Sequence, residues 1–203
     1  MARRPIHSSW WDAAAWARGA AAVRFVARAL ALGALALALV QPAGAGASAR
    51  DAGAVKARML CDFARFVRWP DASFERTGGQ LVFTVIGHDA VTEALAGATA
   101  SSINGHPVSV RTARRVEDTA GGQVIYIAAS EFAKAPEVLR RAAGSPVLTV
   151  ADRAGFVEHG GMVDFDDAPD HERFEINQAR AEKAGLKISA RLLAVARVVD
   201  EAP

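Results

Sequence analysis

Apolar and polar positions along residues 50–203 follow two distinct periods. Within Ala52–Arg68, Val55, Met59, Phe63, Phe66 and Val67 recur at helical spacing. The Trp69-Pro70 step predicts the end of that helix, because proline disfavours the helical conformation of the residue before it. After a polar loop from Asp71 to Gln80 comes the continuous apolar run Leu81–Ile86, which reads as a strand buried on both faces and stopped at Gly87. Asp89 can N-cap a short helix through Ala96, with Gly97 as its stop. Pro107–Thr112 alternates like a half-buried strand. Gln123–Ala128 and Val147–Val150 are further buried strands, separated by a helix from Ser130 to Ala143 that Gly144 closes. Met162–Phe165 and Arg173–Ile176 flank an acidic turn and read as a hairpin. Asn177 caps a short helix ended by Gly185, and a last helix would align Ile188, Leu192, Val195 and Val199 on one stripe. Strands alternating with helices, the central ones apolar throughout, predict one α/β domain: a three-layer α/β/α sandwich with a mostly parallel sheet and an antiparallel edge hairpin.

The N-terminal quarter has a different pattern. Ala29–Val40 is a run of apolar residues behind Arg24 and Arg28, followed by Ala47-Ser48-Ala49. A positive flank, a short apolar core and a small-residue cleavage pattern predict a secretory signal peptide over 1–49, with the domain at 50–203. The apolar run falls short of the roughly 20 residues a spanning helix needs, so no stable membrane span is expected after cleavage and the mature chain is expected outside the cytoplasm. That division changes the charge picture. The whole chain has a formal charge of +2 and a pI near 9.0. Residues 1–49 hold 5 of the 24 basic side chains and 1 of the 22 acidic ones, leaving 19 and 21 in the domain. A body with net charge −2 exerts no overall pull on nucleic acid, and none is expected as a partner. The single cysteine excludes an internal disulfide framework and a cysteine-based zinc site.

Catalytic chemistry has little to stand on. No nucleophile elbow, phosphate-binding loop or dinucleotide fingerprint occurs, and no catalytic residue, cofactor or metal site is expected. His88, His106, His159 and His171 are scattered singly and read as solvated loop residues. Gly155 with Gly160-Gly161 reads as a tight turn needing positive φ. Asp164, Asp166, Asp167, Asp170 and Glu172 read as a polar hairpin turn, lacking the calcium-loop spacing. On a wheel of the first helix, Arg58, Cys61, Arg65 and Arg68 fall opposite Val55, Met59, Phe63 and Phe66. Guanidinium groups would activate such a thiol, but a solvated basic face carrying an incidental small residue is the favoured reading. Arg191 and Arg197 flank Leu192-Leu193 on the last helix. Neither helix has catalytic geometry, and the resemblance set out below is dense at both, which makes Arg58, Arg65, Arg68, Arg191, Leu192 and Arg197 the candidate partner-binding residues. The crevice at the carboxyl ends of a parallel sheet is where such folds hold ligands, which makes Gly87, His88 and Asp152 ligand-binding candidates. Arg173 and Asn177 join them, with a strand-edge ion pair and a helix cap as the plainer reading.

The ordered series of short segments resembles one family. Ala57 to Pro70 (ARMLCDFARFVRWP) resembles the opening of the YfiR family, and LVFTVIGHDAVTEAL resembles its first strand and helix. Asn104-Gly105-His106-Pro107-Val108, VIYIAASE, SPVLTVADRAGFVEHGGMVDF, RFEIN and AGLKISARLL follow in the family's order, so the resemblance spans residues 55–199. It implies a secreted, non-catalytic periplasmic regulator that binds the periplasmic region of an inner-membrane diguanylate cyclase and represses cyclic di-GMP signalling, with a homodimer as the expected assembly. The alternatives are a periplasmic small-ligand binding protein, which the sheet crevice suggests, and an accessory protein of a sensor kinase or receptor, which the resemblance also implies. One departure matters. Several relatives carry paired cysteines, one of them where this chain has Gln123, and Cys61 stands where the family usually has an aromatic residue. Disulfide-linked control therefore loses its basis here.

Overall fold

The computed structural model describes residues 44–98, 102–166 and 173–199. The described residues from Gly46 onward gather into one compact unit. The apolar core of the predicted signal peptide, Ala29–Val40, lies outside the described residues. In chain order the elements are α1 (Gly44–Phe66), β1 (Val67–Arg68), a 3-10 turn (Asp71–Thr77), β2 (Leu81–Ile86), α2 (Ala90–Ala98), β3 (Ser102–Ile103) and β4 (His106–Ala113). Two further 3-10 turns (Val116–Thr119 and Ala129–Lys134) bracket β5 (Val124–Ile127). Then come α3 (Ala135–Ala142), β6 (Leu148–Ala151), β7 (Val163–Asp166), β8 (Arg173–Ile176), α4 (Gln178–Lys183), β9 (Lys187–Ile188), α5 (Ala190–Leu193) and β10 (Arg197–Val198).

The apolar runs become the middle of one sheet because each has side chains to bury on both faces. β2, β5 and β6 are buried along their whole length. Their alternate residues feed two cores. Phe83, Val85, Val124, Tyr126, Leu148 and Val150 pack with α1 and α2. On the opposite face Ile86, Ile125, Ile127 and Ala151 pack with Ala135 and Val138 of α3. The predicted three layers are present. The strand order is β10-β8-β7-β6-β5-β2-β4-β3, with β4, β2, β5, β6 and β7 mutually parallel. Connections leave β2 and β5 in opposite directions, so the sheet reverses its winding between them. The predicted hairpin forms, β7 antiparallel to β8, but it is not the edge: β10 adds outside β8 in parallel.

Two helices differ from the sequence reading. The buried stripe of α1 is Gly53, Ala57, Leu60, Cys61 and Ala64, with Phe63 beside it, whereas Val55 and Phe66 remain partly exposed. Small residues let the helix lie close to its neighbours: a Cβ on Gly53 would sit 2.5 Å from that of Ala90. Phe63 stacks on Phe165 and tilts against Phe174. The second difference is at the C-terminus, where α5 has only four residues and is flanked by strand pairings. Ser189 starts it, its Oγ accepting from the Arg191 N–H at 3.3 Å. Of the expected stripe Leu192 is buried, while Val195 is 72% exposed. The other caps fall where expected: Asp89 Oδ1 accepts from Thr92 N–H at 2.8 Å and Asn177 Oδ1 from Arg180 N–H at 2.9 Å.

Candidate functional site

At the C-terminal end of α1, four segments distant in sequence converge. The Ser189 N–H donates to the Phe66 carbonyl at 2.8 Å, and β1 pairs antiparallel with β9, matching Val67 to Ile188 and Arg68 to Lys187. Asn104 sits in the left-handed region at φ 52, where its short amide side chain is tolerated. Its Nδ2 donates to the Arg65 carbonyl at 3.1 Å, satisfying one of the acceptors left open at a helix C-terminus. The His106 ring stacks flat on Phe74, centroids 3.7 Å apart, with Nδ1 2.8 Å from the Gly79 carbonyl. These parts enclose a groove of about 720 Å³.

The groove is strongly basic. Arg65, Arg68, Lys187 and Arg191 line it, against one carboxylate, Asp71. Arg65 bridges to Asp62 at 2.8 Å. The side chains of Arg68, Lys187 and Arg191 make no ion pair or hydrogen bond among the described residues. Trp69, 6% exposed, also lines the groove, and its indole N–H has no acceptor among those residues. Such an arrangement can hold an anion, with apolar area from Phe66 and Ile188 beside it.

Three of the six candidate partner-binding residues, Arg65, Arg68 and Arg191, thus meet in one place. The other three do not. Arg58 is exposed on α1 away from the groove lining. Leu192 is 5% exposed and belongs to the core, so it is no surface anchor. Arg197 lies on β10, not on a helix, 2.5 Å from the Glu175 carboxylate. Cys61 corrects the wheel reading: it faces the core at 2% exposure, and burial pushes its thiol up, against the pull of Arg65. A buried thiol with a raised pKa is the opposite of an activated one.

Of the ligand-binding candidates, Gly87, His88, Asp152 and Asn177 line neither the groove nor the second cavity described below. Gly87, at φ +99, lets the chain turn close to Ala128 and Glu131. His88 is exposed and 3.2 Å from Glu93. Asp152, just past β6, accepts from Lys56 Nζ of α1 at 2.6 Å, and beside it Tyr126 donates to Asp89 Oδ2 at 2.8 Å. The crevice where the winding reverses is thus bridged by a side chain of the protein itself. Asn177 serves as the α4 cap. Arg173 is in β8 opposite Asp166, and its side chain lies outside the described residues, as do Asp167, Asp170 and Glu172. A second cavity of about 270 Å³ lies elsewhere, among Leu139, Met162, Arg180 and Lys183. Asp164, read from sequence as part of a polar turn, instead points inward with no exposed surface. Gln123 is buried too, its Oε1 accepting from the Val82 N–H at 2.8 Å and its Nε2 donating to the Ser73 carbonyl at 2.6 Å. It ties the start of β2 to the 3-10 turn.

Sequence reading missed Trp69, Asn104, His106 and Lys187 as site residues. Their only local signals were the Trp-Pro step and the Asn-Gly turn, and neither tells which surface they join.

Among the described residues no helix is long and apolar enough to cross a membrane. No match was found among curated proteins. Two solved structures align in part. A conserved domain protein from Vibrio cholerae O1 biovar El Tor matches at 18% identity and TM-score 0.44, over 64% of this chain and 58% of that one. The ABC domain in complex with L-Trp from Streptococcus pneumoniae matches at 15% identity and TM-score 0.49, over 70% of this chain and 60% of that one. This chain spans less than two thirds of either, and at these scores neither carries an argument. The family comparison is of another order: the YfiR/HmsC-like model matches residues 53–197, from within α1 to the start of β10. The chain belongs to the YfiR/HmsC-like family, whose members are periplasmic regulatory proteins of the cyclic di-GMP system.

Proposed function

We propose that this protein is an exported repressor that binds the periplasmic region of an inner-membrane diguanylate cyclase and lowers its cyclic di-GMP output, through the groove between α1, β1 and β9. Family membership supports the regulatory role. The observation that carries the choice of surface is the groove's cluster of Arg68, Lys187 and Arg191, whose side chains are unpaired among the described residues. Cations the fold does not use internally are available to a partner, and rim charges steer and orient association. Self-association into a homodimer remains part of the proposal. Deleting the gene should raise cyclic di-GMP, measured by mass spectrometry of extracts, and only in cells that retain the partner cyclase. Unchanged cyclic di-GMP on deletion, with the cyclase present, would overturn the reading.

A further inference from the structure

Arg68 and Lys187 are directly opposite in the antiparallel β1–β9 register, and both line the groove. Residues directly opposite in an antiparallel pair project to the same face, and like charges there destabilise the pair. The ribbon carries this repulsion with only two residues per strand, when isolated two-stranded ribbons are marginal already. No described carboxylate pairs with either side chain, Arg191 adds a third positive charge to the same lining, and Asp71 is the one acid there. Such local conflict between charge and fold is expected at functional sites. The second, independent sign is the Trp69 indole N–H, a buried donor left without an acceptor. A buried donor left unpaired is destabilising, so an acceptor supplied from outside is favoured there.

We infer that the groove receives an extended acidic peptide segment of the partner, whose carboxylates lie between Arg68, Lys187 and Arg191 and one of whose carbonyls accepts from the Trp69 N–H. The inference rests on the proposed function and names the chemistry of the partner at that same groove. A peptide is favoured over a membrane surface or nucleic acid by charge. The domain as a whole is net negative, 19 basic against 21 acidic side chains, so an extended polyanion meets overall repulsion while a short segment meets only the local cluster. The lining also sets exposed Phe66 and half-buried Ile188 beside the cations, which suits a segment that mixes acidic with apolar residues.

The test uses the full chain, with Trp69 emission isolated as the difference from a Trp69→Phe variant. The probes are a short blocked peptide alternating glutamate with valine, its lysine counterpart, sodium phosphate, and phosphatidylglycerol vesicles. The acidic peptide is expected to shift Trp69 emission saturably, with affinity falling as salt rises. The Arg68→Glu/Lys187→Glu double variant should weaken that binding about tenfold or more, while the single Arg68→Glu variant, which turns a repelling pair into an attracting one, should unfold at equal or higher urea. Equal binding of the lysine peptide, phosphate producing the full signal so that peptide adds nothing, binding of vesicles but not peptide, or full affinity in the double variant would each overturn the inference. If the cyclase region still binds the double variant, the acidic-segment inference fails while the regulatory reading stands; if the region binds neither protein, the regulatory reading fails.

Discussion

Replacing Asp164 with asparagine should make the protein more stable near neutral pH and leave it unchanged in acid. Asp164 on β7 has no exposed surface. Its Oδ2 accepts from the Val157 N–H at 3.2 Å, while Oδ1 has no partner among the described residues. Directly across the hairpin stands Glu175, itself held by Arg197 at 2.5 Å. Burial pushes the Asp164 carboxyl from 3.8 up to about 6; the Val157 N–H opposes the shift and the Glu175 charge adds to it. Between those two values the folded protein holds a proton that the unfolded chain has released. The stability this provides is complete below pH 3.8 and is lost as pH rises through about 6. A shift of roughly two units at 1.36 kcal/mol each amounts to about 3 kcal/mol by neutral pH. Asparagine keeps an acceptor for the Val157 N–H and has no charge to desolvate. Urea unfolding across the acid-to-neutral range should show Asp164→Asn gaining about 1–3 kcal/mol over wild type at neutral pH, with the difference closing as pH falls toward the ordinary carboxylate range. A variant equally destabilised at both ends, or a difference that does not change with pH, would refute this reasoning.

Three further outcomes follow from the same packing. Reductant should leave the melting temperature unchanged, since one cysteine closes no intrachain loop, and alkylation of the buried Cys61 should keep pace with unfolding in urea; rapid labelling of native protein would contradict its placement. Asn104→Ala should cost about 1–3 kcal/mol in urea unfolding, combining the left-handed backbone with the lost bond to the Arg65 carbonyl, and Asn104→Gly should cost less because only the bond is lost. Gly53→Ala gains about 1 kcal/mol of helix propensity but forces a Cβ to 2.6 Å from the Ala90 carbonyl carbon, so a net loss of about 1–2 kcal/mol is expected; a net gain would mean that α1 does not lie against α2.

What the sequence made legible was whatever depends on local pattern. Leu81–Ile86, Val124–Ile127 and Leu148–Ala151 announced themselves as doubly buried strands because nothing polar interrupts them beyond single threonines. Asp89 and Asn177 were readable as caps from residue type and position alone. The stripe of α1 misled because the wheel weighed side-chain size, whereas close packing selected Gly53, Ala57 and Ala64. The C-terminal stripe misled for another reason: two-residue pairings, Val67–Arg68 with Lys187–Ile188 and Arg197–Val198 with Glu175–Ile176, are too short to leave a period. The groove suffers from the same limit. Arg65 and Arg68 were singled out on one segment and Arg191 on another, but more than 100 residues separate them, and only the β1–β9 pairing shows that they share a surface with Lys187.

The account turns on whether that groove is where the regulated partner binds. Isothermal titration of the full chain with the periplasmic region of the candidate partner cyclase, run with wild type and with the Arg68→Glu/Lys187→Glu variant, asks this directly. The account predicts saturable binding by wild type at micromolar concentrations or below, weakened about tenfold or more by the double reversal, in a variant that still unfolds cooperatively. Equal affinity of the two proteins for that region would contradict it.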